Sequence, residues 1–356
     1  MRSFVDRAVV PRKGEELYPQ VIADFLKKHV EGVQGDVKIE QFPSGYSNLS
    51  YLIRMGDKEL VLRRPPVGAK KIKAGHDMKR EFTILSKLHP VYPFVPKPLV
   101  YCDDESVIGA QFYVMERIKG IILRKELPVG LDISASTARK MCEKLVDNLV
   151  KIHQIDYKSA GLEEMGKPDG FVNRQVDGWF ERYENAKTDD IPEVNEIIKW
   201  CTANIPESQS ATLIHNDYKY DNIVFAPDDL TKIIGVLDWE MSTIGDPLFD
   251  VGVALSYWVN RDDPEEMQLT RTVPTHLEGS YTRKEFVERY AEKSGREVKN
   301  IVFYYAFALF KLGVIAQQIY FRFTKGFTKD ERFALLLAGV KVLMRGSLEA
   351  IEKNSI

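Results

Sequence analysis

His215, Asp217 and Asn222 stand in the arrangement His-x-Asp-x-x-x-x-Asn, and sixteen residues after Asn222 come Asp238 and then Glu240. Phosphoryl transfer asks little covalent chemistry of a protein. It requires that a hydroxyl be oriented and that phosphate charge be neutralised, and hard oxygen ligands suit the cation that does this. On this reading Asp217 accepts the hydrogen bond of an acceptor hydroxyl and Asn222 offers a neutral oxygen to Mg2+. Asp238 links the metal to the β- and γ-phosphates, and Glu240 is a further ligand or positions water. Lys219, two residues after the base, directs an ammonium at the transferring group, and His215 reads as a pin for the loop backbone.

Asp and Asn are also common turn formers, so a lone His-x-Asp match means little. Here flanking elements support it. The apolar run 211–214 precedes the loop, Ile223-Val224-Phe225 follows it, and 233–237 leads into the second acidic group after a turn at Pro227-Asp228-Asp229. The pattern predicts strand, loop, short strand, turn and strand, with the acidic residues at strand ends.

Upstream, a helix over 18–33 precedes a strand over 37–42, a polar turn over 43–48, a strand over 49–54, a turn at Gly56-Asp57 and a strand over 59–63. A polar glycine loop between two strands lays N–H groups over phosphates, and Ser47 and Asn48 would donate to the β- or γ-phosphate. With one glycine the loop reads equally as an ordinary hairpin. A nucleotide site of this kind needs a cation on the third strand and a carboxylate on the next helix. Arg63 and Glu81 fill those places, the helix running over 77–88, with Arg64 as the alternative because neighbouring strand residues face opposite sides. An exposed ion pair is the plain reading of the same two residues.

The segments Asn173-Arg174-Gln175-Val176, Leu237-Asp238-Trp239-Glu240 and Gly245-Asp246-Pro247-Leu248-Phe249-Asp250, with the His215 loop, resemble the aminoglycoside phosphotransferase and choline kinase superfamily. Within it they look most like the kinase domains associated with acyl-CoA dehydrogenases. The resemblance implies an α+β, protein-kinase-like bilobal fold. A small antiparallel-sheet N-lobe would occupy 1–115, a hinge 116–120 and a larger, mainly helical C-lobe 121–356. It also implies ATP and Mg2+ as cofactors, adenine against the hinge backbone near Glu116 and Ile118, and Asp250 bracing the catalytic loop, where the alternative is an exposed helix cap. Two departures are expected: Asn216 stands where the family usually carries Gly, which should leave activity intact, and the fused dehydrogenase is lost.

Acceptor identity is less legible. An acidic segment over 258–275, with Asp262, Asp263, Glu265 and Glu266, would suit a polycationic aminoglycoside or a choline-like amine as a mobile lid. Arg174, Arg322 and Lys325 would equally suit an anionic acceptor, and the resemblance favours a hydroxyacyl-CoA or another hydroxylated metabolite, in functional association with an acyl-CoA dehydrogenase. The competing reading is a catalytically silent nucleotide-binding regulator. The presence of Asp217, Asn222, Asp238 and a third-strand cation speaks against it.

The 356 residues suffice for two cores, and the formal net charge of −2 gives no electrostatic case for nucleic acid or membrane partners. Cys102, Cys142 and Cys201 lack metal-ligand spacing and read as reduced structural thiols, and the charged stretch Met1–Lys13 has no signal-peptide core; the cytoplasm is the expected location. Asn300–Phe323 is apolar but interrupted by Lys311, Gln317 and Gln318, and is expected as a buried helix. Helices are also expected over 134–155, with a packed His153, and over 192–204, with Trp200 in the core.

Overall fold

The computed structural model describes residues 4–43, 48–66, 76–208, 210–327 and 330–356. Ser47 and the glycine of its loop lie outside them. The helices are α1 (Pro19–His29), α2 (Met78–Leu88), α3 (Ala135–His153), α4 (Phe171–Ala186), α5 (Glu193–Ala203), α6 (Pro247–Ser256), α7 (Glu265–Thr270), α8 (Arg283–Ser294), α9 (Ile301–Thr324) and α10 (Leu336–Lys353). The strands are β1 (Val37–Gln41), β2 (Leu49–Met55), β3 (Lys58–Arg64), β4 (Pro98–Cys102), β5 (Phe112–Glu116), β6 (Thr212–Ile214), β7 (Ile223–Phe225), β8 (Ile233–Val236) and β9 (Thr243–Gly245). The fold is α+β, in two compact units whose segments interleave in sequence.

The first unit takes Met1–Ile122, Ser159–Leu162 and Asn222–Met241. Its sheet runs β1-β2-β3-β5-β4 and is antiparallel throughout. Alternation sorts the strands into two faces. Tyr51, Ile53, Leu60, Leu62, Phe112 and Val114 turn to one face and pack with Ile22 and Leu26 of α1. Residues one step out of phase, Arg63 and Tyr113, meet Glu81 and Phe82 of α2 on the other. Asp77 starts α2 by accepting the Arg80 N–H at 2.9 Å. The β2–β3 turn needs Gly56, whose φ is +61° and whose added Cβ would sit 2.9 Å from the Gln34 carbonyl oxygen.

The hairpin β7–β8 belongs to this first unit. Phe225 bridges to Ile121, and the Val236 N–H donates to the Phe94 carbonyl at 2.8 Å. Gly235 lets Ile118 pack closely, since a Cβ there would fall 2.7 Å from the Ile118 Cδ1.

The second unit takes Leu123–Lys158, Glu163–Asp221 and Ser242–Ile356. Its axis is α9, long and apolar enough to cross a membrane by length and composition, yet 72% of its apolar window is buried inside the protein. Phe307 and Phe310 interlock with Phe180 of α4 and Phe249 of α6, each buried ring contributing about 1.5–3 kcal/mol. Asp246 caps α6 by accepting the Leu248 N–H at 2.8 Å, with Pro247 following at the first helical position. Trp200 is half-buried, stacked 6.0 Å from Phe303 at the edge of the core and not inside it. β6 pairs with β9, so the expected strand–loop–strand run is two separate ribbons, β6–β9 and β7–β8. The β9 strand and β4 carry too few alternating residues to be read in advance. All three cysteines are free and buried.

Candidate active site

In the second unit, β6 delivers the chain to His215 and a carboxylate from α6 catches it. Asp250 accepts the backbone N–H groups of His215 and Asn216, each at 2.7 Å, and His153 Nε2 lies 3.1 Å away. His153 is fixed in turn by the Tyr290 hydroxyl at 2.7 Å from Nδ1. Burial alone would raise the Asp250 carboxyl, but the hydrogen bond and charge of His153 and the contribution of His215 outweigh it and hold it below the usual range. Asp250 is fully buried in the first turn of α6, so it is not an exposed cap.

The turn is tight. Asn216 has φ +65°, a left-handed conformation that asparagine tolerates better than most residues. The Asp217 N–H faces His215 Nδ1 at 3.3 Å. Side chains then alternate: Tyr218 and Tyr220 go inward, Tyr218 donating to the Leu145 carbonyl at 2.8 Å and Tyr220 stacking on Trp258 at 5.7 Å. The out-of-phase residues Asp217, Lys219 and Asp221 form one charged group. Lys219 Nζ lies 3.0 Å from Asp217 Oδ2, 3.8 Å from Asp221 Oδ1 and 4.5 Å from the centre of the Tyr257 ring. Burial opposes the Lys219 charge, but Tyr257, Asp217 and Asp221 more than compensate and hold its pKa well above the ordinary value. Tyr257, which hydrogen-bonds Asp217 and whose own pKa is pushed up first by burial, was not legible in the sequence. A lone Tyr after a helical run carries no pattern.

In the first unit, Arg63 gathers three carboxylates. Its Nη1 lies 3.3 Å from Glu81 Oε1, and its Nη2 lies 3.0 Å from both Asp238 Oδ1 and Glu240 Oε2. Arg64 faces away, donating to the carbonyls of Pro65 and Ile108. Asn48 donates from Nδ2 to Glu240 at 2.5 Å, and its Oδ1 accepts from His76 Nδ1 at 2.9 Å. Burial first, then the neighbouring Asp238 charge, pushes Glu240 up to about 8 against the pull of Arg63, and Glu81 is raised by burial as well. The hairpin sets this geometry: the Leu237 N–H donates to the Asn222 carbonyl at 2.8 Å, and Asp238 turns at φ +67° before the buried Trp239. Among the described residues one guanidinium therefore serves three acidic groups.

Glu116 is exposed and pairs with Lys97 at 3.4 Å, and its N–H donates to the Lys97 carbonyl at 2.9 Å. Ile118 packs on Gly235. The Arg174 guanidinium binds the carbonyls of Lys167 and Asp169 just before α4. Arg322 and Lys325 end α9, where Lys325 lies 5.5 Å from the Phe321 ring centre. Among the described residues no ion pair or hydrogen bond gathers these three cations into an anion site. In the acidic stretch over 258–275, Asp263 holds Arg283 through two bonds of 2.6 and 2.7 Å, and Glu266 meets Arg345 at 2.5 Å.

Comparison with known proteins shows the family. The pattern of the phosphotransferase enzyme family matches residues 38–272. Human acyl-CoA dehydrogenase family member 11 is 34% identical over 345 residues, which is 93% of this chain and 42% of that protein, so the chain spans less than half of that relative. Among solved structures, a putative aminoglycoside phosphotransferase from Ralstonia eutropha is 27% identical with a TM-score of 0.80, over 95% of this chain and 99% of that one. Choline kinase from Cryptosporidium parvum shares the fold at a TM-score of 0.65 and 13% identity, over 94% of this chain and 95% of that one. With the family pattern spanning both the Arg63 group and the Asp217 loop, the chain belongs to the phosphotransferase enzyme family and is a phosphotransferase.

Proposed function

We propose that this phosphotransferase moves the γ-phosphate of ATP, with Mg2+, to the hydroxyl of a small molecule. The observation that carries the reading is the Arg63 group, in which a third-strand cation, the α2 carboxylate and the acidic pair Asp238 and Glu240 meet within 3.3 Å. Three carboxylates about one guanidinium favour an added divalent cation. Asp238 and Asn222 offer it oxygen donors, and Mg2+ needs only one or two protein ligands beside the phosphates. When bound, the metal would offset the phosphate charge. Glu240, held by Arg63 and Asn48, suits positioning more than ligation. Arg63 would reach the phosphates from its Glu81 anchor, and Asn48 would adjoin them.

Asp217 would take the hydrogen bond of the acceptor hydroxyl, with the Lys219 ammonium 3.0 Å from its Oδ2. Lys219 would pass from Asp217 toward the phosphoryl group as the nucleotide arrives. His215 and Asp250 would fix the turn. Adenine would lie along 116–120, where among the described residues no hydrogen bond uses the N–H or carbonyl of Ile118.

For the acceptor, two of the four carboxylates in the acidic stretch, Asp263 and Glu266, are already taken by Arg283 and Arg345, which leaves less negative charge for a polycation or a choline-like amine. The dehydrogenase relatives favour a hydroxyacyl-CoA or another hydroxylated metabolite, and an association with such a dehydrogenase. The test is ATP consumption with Mg2+ across hydroxyacyl-CoA esters, aminoglycosides, choline and amino alcohols, with Asp217→Asn as control. Acceptor-stimulated turnover absent from the control is expected. Nucleotide binding with no stimulation by any acceptor would favour a silent regulator.

A further inference from the structure

Lys311 sits in the middle of α9, only 4% exposed, where a buried helix would ordinarily carry an apolar residue. Its Nζ lies 5.5 Å from the Trp179 ring centre and 5.2 Å from that of Phe249. Its hydrogen bond goes to a neutral acceptor, the Asn216 Oδ1, at 2.6 Å. An ammonium has three donors, and burying one against aromatic rings with a single amide partner is costly. Among the described residues no carboxylate pairs with it directly to offset that cost. The partner it does choose is the left-handed residue beside Asp217, whose N–H is already held by Asp250 at 2.7 Å.

We propose that Lys311 is a positioning residue for the turn that carries Asp217, acting through the side-chain amide of Asn216. The inference rests on the reading of Asp217 as the group that meets the acceptor hydroxyl. Glycine would adopt φ +65° without strain but would leave the turn free to rotate. Asparagine gives the turn a handle, and Lys311 holds it from the helix below. The charges facing Lys311 are Asp217, Asp250, Arg182 and Lys219; burial lowers its pKa to about 8 against the two carboxylates. The arrangement therefore gives up stability for a fixed turn, which an exposed ion pair or an apolar core residue would not do.

The test compares wild type, Lys311→Met, Asn216→Gly and the double variant by hydrogen exchange of the segment 213–222 and by Mg2+-ATP hydrolysis with no added acceptor. Each single variant is expected to speed exchange at His215 and Asn216 and to lower kcat by about tenfold, with KM for ATP unchanged, and the double variant to be no worse than either. Wild-type exchange in Lys311→Met, or losses that multiply in the double variant, would overturn the proposal. Glycine accepts the left-handed conformation of residue 216 without strain, so wild-type exchange in Asn216→Gly counts against the proposal equally. Asp217→Asn is run beside them: full hydrolysis in that variant removes the role of Asp217, while the exchange result still decides whether Lys311 holds the turn.

Discussion

Arg63 Nη2 lies 3.0 Å from Asp238 Oδ1, a bond between residues 175 positions apart in the chain. Arg63→Met is expected to destabilise the protein by about 3–5 kcal/mol at pH 8, because buried carboxylates lose their shared cation. In the variant, Glu81 and Glu240 have folded pKa values raised above their unfolded ones, so the folded state binds more protons and stability falls as pH rises. The loss at pH 5 should be smaller. Urea denaturation at both values checks this, and equal losses would show that the carboxylates find another partner.

Asp238→Ala is expected to abolish the dependence of ATP binding on Mg2+. At a nucleotide concentration of 100 times Kd, ligand stabilisation is about 2.7 kcal/mol. That gain in thermal stability should appear in wild type with Mg2+ and be missing in the variant. A variant stabilised as fully as wild type would dismiss Asp238 as a ligand.

Asp217→Asn should fold and bind ATP as wild type does but lose about 10²-fold or more in turnover. Its side chain is 21% exposed, and asparagine keeps its size, so the packing around it is retained. Undiminished acceptor-dependent turnover would assign the role elsewhere.

Asp250→Ala orphans two buried N–H groups and His153, each costing about 1–3 kcal/mol. A loss of at least about 3 kcal/mol is expected by urea unfolding. The Asp250 pKa is depressed in the folded state, so its stabilisation is full above the ordinary carboxylate pKa and fades as pH falls through the depressed value. Wild type should therefore lose more stability than the variant on acidification; parallel acid profiles would rule this out.

Lys311→Met should be no less stable than wild type at pH 7, and more stable by up to about 3 kcal/mol, since burial lowers the Lys311 pKa from 10.5 to about 8. Between those values the unfolded state binds the extra proton, so the contribution of Lys311 to stability rises with pH. Wild type should show that rise and Lys311→Met should not. A variant that melts earlier at every pH would make Lys311 a plain structural residue.

The acidic residues and their order were readable because phosphoryl transfer restricts both residue type and spacing. Asp217, Asn222, Asp238 and Glu240 fall within 24 residues and are flanked by short apolar runs. The sheet was readable for a similar reason: alternation over 37–63 is a local property, and β1, β2 and β3 follow it. Glu81 as the partner of Arg63 came from the order of elements, strand then helix.

What the sequence determined by itself was therefore the chemistry, the alternating strands and the long apolar helix, since each is written in neighbouring residues. Only the tertiary structure decided that β6 pairs with β9, that Arg174 spends its guanidinium on carbonyls, and that Asp263 and Glu266 are neutralised by Arg283 and Arg345. It alone brought Lys311 to Asn216 and Tyr257 to Asp217. Those pairings join residues from distant segments, and what a charged side chain does depends on the partner that folding brings to it.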